Sequence, residues 1–84
     1  MINILYFASL REQLSIAKEP LTLDKEIRNI TALKQLLAGR GGVWQEVFEG
    51  DIPLLVSVNQ QMAGNGCEIK DGDEIAFFPP VTGG

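Results

Sequence analysis

The sequence predicts an α+β fold of the β-grasp type, in which helices cover one face of a mixed sheet of about five strands. Strand and helix patterns follow one another in the order β, α, β, α, β, short β, β. A hairpin-like opening, a long helix and later strands that return beside the first describe this arrangement, although the order is also compatible with other small α+β folds. The 84 residues, 45% hydrophobic and 21% charged, indicate one compact domain.

The beginning of the chain predicts a strand and a short helix. Ile2 to Ala8 is rich in β-branched and aromatic residues, which favours a first strand. Ser9 and Glu12 fit a capping box, in which the hydroxyl and the carboxylate bond free amides at a helix start. Leu10 and Leu14 then share one helix face, because they lie one helical turn apart.

The middle of the chain predicts an edge strand and a longer helix. Pro20 to Leu23 alternates weakly and begins at a proline, which edge strands tolerate. Asn29 is a suitable N-cap for a helix whose apolar residues follow helical spacing. These apolar residues are Ile30, Leu33, Leu36 and Leu37. We expect Gly39, Gly41 and Gly42 to end this helix, because glycine adopts the left-handed conformation readily.

The remainder predicts a helical turn and three strands. The turn is expected from Trp44, Val47 and Phe48, which lie at helical spacing. The strands are expected at Leu54 to Val58, around Met62, and at Glu74 to Phe78. Asn59 to Gln61 and Lys70 to Asp73 are predicted turns between them. Pro79 and Pro80 end the last strand, because a proline has no N–H to donate.

Composition excludes several classes of function. Seven Lys and Arg against eleven Asp and Glu give a net charge of −4, which disfavours nucleic acid and anionic membrane surfaces and favours a basic protein partner. With no His and only Cys67, the chain lacks a neutral-pH proton shuttle, an internal disulfide and a Cys/His metal cluster. No apolar stretch approaches the roughly 20 residues that span a bilayer, and no signal-peptide pattern opens the chain. These features predict a cytoplasmic protein without a bound metal or a conventional active site.

The C-terminus carries the most informative motif. We expect residues 1–80 to form the domain and residues 81–84 to form a flexible tail. Val81, Thr82 and Gly83 add no charge before Gly84, so the tail is thin enough to enter a narrow channel. Its reactive group is the Gly84 carboxylate, which becomes an acyl donor once it is adenylated, because AMP is a good leaving group. Attack by sulfide would then produce a thiocarboxylate at Gly84.

Several segments resemble one family. The run from Asp71 to Gly84, with its Phe-Phe-Pro-Pro-Val-Thr-Gly-Gly ending, is similar to the C-terminus of the small, sulfur-carrying subunits of molybdopterin synthase. These are the MoaD proteins of the MoaD/ThiS sulfur-carrier family. The opening, Met1 to Ala8 followed by Leu-Arg-Glu, resembles the same family, as does Val58-Asn59-Gln60 in the middle of the chain. The resemblance extends over the whole chain.

The resemblance implies a β-grasp fold and a defined cycle at Gly84. An adenylating enzyme of the MoeB type would form a transient AMP adduct, and a sulfurtransferase system would convert it to the thiocarboxylate. The tail would then dock into the MoaE-like large subunit and donate sulfur to cyclic pyranopterin monophosphate, which forms the dithiolene of molybdopterin. No bound cofactor is implied, and the large subunit of the heterotetrameric synthase would supply the catalytic basic residues.

An apolar patch is predicted on the open face of the sheet. If the first and last strands are neighbours, this patch contains Leu5, Phe7, Ala76 and Phe78, opposite the core residues Ile4, Tyr6, Ile75 and Phe77. A contiguous patch of this kind marks an interface more often than isolated apolar residues do. The resemblance implies the same role. The expected partner interface contains Phe7, Arg11, Met62, Phe78, Pro79 and Pro80, with Arg11 either a salt-bridge donor or a solvated charge.

Two other functions stay open at this point. One is a ThiS-like carrier of thiamine biosynthesis, which uses the same tail chemistry with a different acceptor enzyme. The other is a ubiquitin-like protein modifier or a plain interaction module. Cys67 is expected to be a passive thiol, because the chain offers no His as a base and no second Cys. The acidic residues Asp71, Asp73 and Glu74 are expected to form a turn and not a calcium site.

Overall fold

A five-stranded mixed sheet forms the framework of the protein, and the computed structural model describes residues 1–50 and 54–80. The strands are β1 (Ile2–Tyr6), β2 (Lys18–Leu21), β3 (Leu55–Val58), β4 (Gln61–Ala63) and β5 (Glu74–Phe78). They lie in the order β2-β1-β5-β3-β4. β1 and β5 are parallel, and all other neighbouring pairs are antiparallel. The predicted α+β class and the predicted neighbourhood of the first and last strands are confirmed.

Three helices, α1 (Ser9–Leu14), α2 (Ile30–Ala38) and α3 (Val43–Glu49), accompany this sheet. The core consists of alternate residues of the central strands packed against the apolar sides of α1 and α2. Its buried members are Ile2, Ile4, Tyr6, Leu10, Leu14, Ile27, Ile30, Leu33, Leu37, Val56, Ile69, Ile75 and Phe77. Trp44, Val47 and Phe48 of α3 pack against this cluster and remain half-buried. The predicted core face of the first and last strands is therefore correct.

The two predicted helix caps have different outcomes. The Asn29 cap is confirmed, since the side-chain Oδ1 of Asn29 accepts a hydrogen bond of 2.8 Å from the backbone N–H of Ala32. The capping box at Ser9 and Glu12 is wrong. Ser9 lies inside α1, whose N-cap is Ala8, and no side chain bonds this helix end. Instead, Ala8 has φ 54° and ψ −130°, and the chain turns there sharply enough for the N–H of Leu10 to bond the carbonyl of Phe7.

The boundaries of the first two strands also differ from the predicted ones. β1 ends at Tyr6, two residues before Ala8, because the turn into α1 begins at Phe7. The edge strand β2 lies at Lys18–Leu21 and not at residues 20–23. Pro20 therefore sits inside the strand, opposite Asn3. The missing N–H is tolerated there because β2 is at the edge of the sheet.

The turns after α2 and after β3 contain residues with positive φ, and Gly39 is the exception to the expected left-handed conformation. Gly39 ends α2 in a right-handed conformation (φ −64°), while Gly41 and Gly42 adopt positive φ values of 78° and 56°. Asn59 and its neighbour Gln60 have φ values of 52° and 70° in the two-residue loop between β3 and β4. Both central residues of such a primed hairpin turn need positive φ. The predicted turn between these strands is confirmed.

A polar network ties the edge strand β2 to the end of α2. The hydroxyl of Tyr6 donates a hydrogen bond of 2.7 Å to Oε1 of Glu19, and Arg40 donates to both oxygens of this carboxylate at 2.8 and 3.2 Å. The Arg40 guanidinium lies 4.3 Å from the ring centroid of Trp44. Burial alone would raise the pKa of Glu19, but the hydrogen bonds from Arg40 and Tyr6 outweigh it and hold this pKa below its ordinary value. Burial, reinforced by the Glu19 carboxylate, raises the pKa of Tyr6.

Candidate docking surface and tail base

Phe7 and Phe78 form an aromatic pair on the face of the sheet opposite the core. Their ring centroids are 4.9 Å apart and the ring planes differ by 7°. The pair follows from the strand register, because Tyr6 lies opposite Phe77 in the parallel ladder and the next residue of each chain points to the other face. The N–H of Phe7 also donates to the carbonyl of Phe77 at 3.2 Å. Phe7 is 40% exposed and Phe78 is half-buried.

Three further apolar side chains extend this surface. Leu55 lies opposite Phe78 and is 39% exposed, and Met62 at the far edge is 65% exposed. Leu5, half-buried, belongs to the same face of β1. We call this surface the open-face patch; its members are Leu5, Phe7, Leu55, Met62 and Phe78. Exposed apolar residues that gather in this way are typical of a protein interface.

The open-face patch differs from the predicted one at three positions: it lacks Ala76 and adds Leu55 and Met62, of which Met62 was expected at the partner interface. Ala76 lies on the predicted face but is only 4% exposed, because its small side chain is covered by its neighbours, so it offers little surface. Leu55 was missed. Its signal is present in the sequence, since Leu54, Val56 and Val58 alternate along the strand and the residue between Leu54 and Val56 must then face the other way.

Phe77 and Phe78 divide between the two faces of β5 as predicted. Phe77 is fully buried, and its ring contacts Tyr6 and Phe48 with centroid distances of 6.2 and 5.1 Å. Phe78 contacts Phe7 instead. Adjacent aromatic residues thus serve the core and the open-face patch separately.

The tail base, which consists of Pro79 and Pro80, follows Phe78 of the aromatic pair directly. Pro79 and Pro80 follow β5, are half-buried, and line a groove between α1 and α3. The predicted functional residues Val81, Thr82, Gly83 and Gly84 lie outside the described residues. The structure therefore positions the point from which the tail departs, next to Phe78.

Arg11 lies on α1 and is exposed. Among the residues that the structure describes, it forms no ion pair. Its side chain is accessible to a carboxylate of a partner, which agrees with a role as a salt-bridge donor but also with a solvated charge.

Local hydrogen bonds involve both Cys67 and the acidic turn. Sγ of Cys67 is half-buried and donates a weak hydrogen bond of 3.5 Å to the carbonyl of Glu68. The buried carboxylate of Asp73 accepts from the N–H of Lys70 at 2.9 Å and from the amide of Asn59 at 3.0 Å. These bonds hold the predicted turn together. Within residues 1–50 and 54–80, no group of three or more His, Cys, Asp or Glu side chains could hold a metal ion.

No helix in the described part of the chain is both long and apolar enough to cross a membrane.

The chain is similar to known proteins over its full length. The ThiS family model matches residues 4–84. The molybdopterin synthase sulfur carrier subunit of Haemophilus influenzae is 39% identical over 84 residues, which cover 100% of both chains. The crystal structure of SAMP1 from Haloferax volcanii has a TM-score of 0.78 at 25% identity and covers 99% of this chain and 98% of that one.

A further structural relative occurs in an assembly. It is a chain of the complex of subunits 1 and 2 of the molybdopterin-converting factor from Helicobacter pylori. The TM-score is 0.65 at 19% identity, with 99% of this chain and 97% of that chain covered. At this identity the likeness shows the fold, and together with SAMP1 it confirms the β-grasp arrangement.

Proposed function

The chain belongs to the ThiS family, and from this premise we propose that it is the sulfur-carrier small subunit of a molybdopterin synthase. The observation that carries the proposal is the 39% identity to a molybdopterin synthase sulfur carrier subunit, which extends from end to end of both chains. The Phe-Phe-Pro-Pro-Val-Thr-Gly-Gly ending supports it, because it provides a stop to β5 and then a tail without charged side chains.

The reaction is proposed to take place at the Gly84 carboxylate. An adenylating enzyme of the MoeB type joins this carboxylate to the α-phosphate of ATP and releases pyrophosphate. Sulfide supplied by a sulfurtransferase system then attacks the acyl carbon, AMP departs, and a thiocarboxylate remains. The thiocarboxylate sulfur then forms a C–S bond to cyclic pyranopterin monophosphate, and water cleaves the bond between this sulfur and the Gly84 carbonyl carbon, which regenerates the carboxylate. Because adenylation consumes ATP, we place this cycle in the cytoplasm.

The carrier is proposed to act as one subunit of a sulfurtransferase and not as a catalyst alone. The chain contains no His, and the described residues place no acid–base pair beside the tail base. Acid and base groups therefore have to come from the MoaE-like large subunit. The AMP adduct and the thiocarboxylate are transient groups on Gly84, and no resident cofactor is required.

Docking is proposed to use the open-face patch. Phe7 and Phe78 would contact the large subunit while Pro79 and Pro80 direct the tail away from the domain. Met62, the most exposed member at 65%, would extend the contact toward the far edge, and Arg11 would pair with a carboxylate of the partner. The adenylating enzyme must reach the same tail and is expected to bind at the same side.

A second candidate function is protein modification. The likeness to SAMP1 supports it, since a protein of that name is described as a small archaeal modifier protein. In this case the activated Gly84 would form an amide bond with a lysine of a target protein. A ThiS-like role in thiamine biosynthesis would share the thiocarboxylate and differ in the acceptor.

Reconstitution separates these functions. The thiocarboxylated protein, the cognate large subunit and cyclic pyranopterin monophosphate should yield the dithiolene product. The Cys67→Ser variant should be equally active, because the transferred sulfur resides on Gly84 and not on a thiol. Absence of product with a carrier that still forms the thiocarboxylate would favour the thiamine pathway, and conjugates to other proteins in cell extracts would favour the modifier.

A further inference from the structure

A groove of about 540 Å³ lies on the helix side of the tail base. Its walls come from α1, α3 and the first residues after β5. The apolar lining residues are Leu10, Val43, Val47, Leu54, Pro79 and Pro80. Two of them, Pro79 and Pro80, form the tail base, so a partner protein that binds the tail also lies next to this groove.

The groove and the open-face patch flank the tail base from opposite sides. Phe78 lies on the open face of the sheet, while Leu10 of α1 is buried in the core on the other face. Pro79 follows Phe78 directly and lines the groove. A partner that surrounds the tail to reach Gly84 therefore meets both surfaces, and the groove is continuous with the surface proposed for docking.

The lining of the groove specifies the chemistry of its occupant. Val43 at the start of α3 is 37% exposed, and Val47 and Leu54 are half-buried, so the groove offers apolar surface that is not covered within the described chain. Glu46, one turn from Val43, is exposed at the same groove. In a chain of net charge −4, this arrangement favours an apolar side chain next to a lysine or arginine.

We propose that this groove receives an apolar side chain, flanked by a basic residue, from the same large subunit that docks on the open-face patch. The inference rests on the proposed function and adds a second contact to it. The tail base would be clamped from both sides, with Phe7 and Phe78 on one side and the groove on the other. Such a clamp fixes how far the tail extends into the partner, which matters because small displacements of a reacting group slow catalysis strongly.

Matched lysine substitutions test the groove. Val43→Lys places a charge in the groove, while Leu36→Lys places the same charge on a 42% exposed leucine of α2 that does not line it. Both variants change the net charge equally and use a good helix former at an exposed position. We expect Val43→Lys to raise the Kd for the cognate large subunit about tenfold or more, and Leu36→Lys to leave it within about twofold. Thermal melts verify that both variants are folded.

Charge reversal at Glu46 provides a second test that does not depend on the folding of Val43→Lys. Glu46→Arg should weaken binding, and the loss should shrink as salt is added, because screening reduces the repulsion from a basic partner residue. Equal Kd values for the wild type, Val43→Lys and Glu46→Arg would overturn the groove inference. Self-association of the wild type that Val43→Lys abolishes would also overturn it, since a second copy would then be the occupant.

The two proposals fail in different ways. A wild-type carrier that does not bind the large subunit at all would contradict the proposed function. Wild-type binding that is weakened by Phe78→Ala but unaffected by Val43→Lys would leave the proposed function intact and remove only the groove.

Discussion

The rings of Phe7, directly after β1, and Phe78, at the end of the parallel strand β5, stack with centroids 4.9 Å apart and nearly parallel ring planes. The two residues are far apart in sequence, yet the register of Tyr6 against Phe77 places them side by side on the open face of the sheet. The stack stands immediately before Pro79, so an exposed aromatic surface and the departure point of the tail coincide. A partner that binds this aromatic surface is therefore positioned to receive the tail.

Phe78→Ala should weaken association with the large subunit. An aromatic side chain at the centre of an interface commonly acts as a hot spot, so the expected loss of binding free energy is about 2 kcal/mol or more. Titration calorimetry against the cognate large subunit measures it. The melting temperature should change little, because Phe78 lies on the open face and not in the core.

Phe77→Ala is the matched control for that change. Phe77 is fully buried against Tyr6 and Phe48, so its loss should lower the free energy of unfolding by about 3–5 kcal/mol. Thermal and denaturant melts measure this loss. If Phe78→Ala lowered stability as much as Phe77→Ala and left affinity unchanged, the docking role of the open-face patch would be wrong.

Ala8→Gly should stabilise the domain. Ala8 (φ 54°, ψ −130°) and Gly42 (φ 56°, ψ −132°) share a backbone conformation that only glycine adopts without strain. Ala8→Gly is expected to raise the free energy of unfolding by about 1 kcal/mol, and Gly42→Ala to lower it by a similar amount. Within residues 1–50 and 54–80, no heavy atom lies within 4 Å of a Cβ added at Gly42, so we attribute that loss to backbone strain. Denaturant melts that show a destabilised Ala8→Gly protein would contradict the backbone strain at Ala8.

The Glu19 network should make stability depend on acidic pH. The pKa of Glu19 is lower in the folded protein than its ordinary value, so the carboxylate stabilises the fold above the ordinary pKa of about 4.3. This contribution is lost as the pH falls through the lower, folded-state pKa. Glu19→Gln should therefore lower the free energy of unfolding by about 1–2 kcal/mol at pH 7 and by clearly less at strongly acidic pH. Denaturant melts across this pH range measure the difference, with the exposed Glu26→Gln as control. A loss of stability in Glu19→Gln that does not depend on pH would contradict the lowered pKa of Glu19.

Local patterns predicted most of the core, because alternation and helical spacing are set within a few residues. Ile4, Tyr6, Ile75 and Phe77 fall on the buried face as expected, and the Asn29 cap forms as its side chain dictates. The capping box at Ser9 failed because the turn at Ala8 already satisfies the first amides of α1 through the carbonyls of Phe7 and Ala8.

Contacts between distant segments could not be read from the sequence. The hydrogen bonds of Glu19 with Tyr6 and Arg40 join three elements that only the folded sheet brings together. The groove beside Pro79 likewise depends on how α1 and α3 are placed, which spacing within either helix does not encode. The tail chemistry, by contrast, rests on the sequence alone, since Gly84 lies outside the described residues.

The mass of the intact protein purified from cells that make molybdopterin tests the central claim most directly. A fraction of the molecules should be heavier by one sulfur-for-oxygen exchange, and fragmentation should locate the gain at Gly84. The same gain should persist in Cys67→Ser and disappear when Gly84 is deleted or when one residue is added after it. An unmodified Gly84 under these conditions, or a sulfur gain that follows Cys67 and not the C-terminus, would contradict the assignment of this chain as a sulfur carrier.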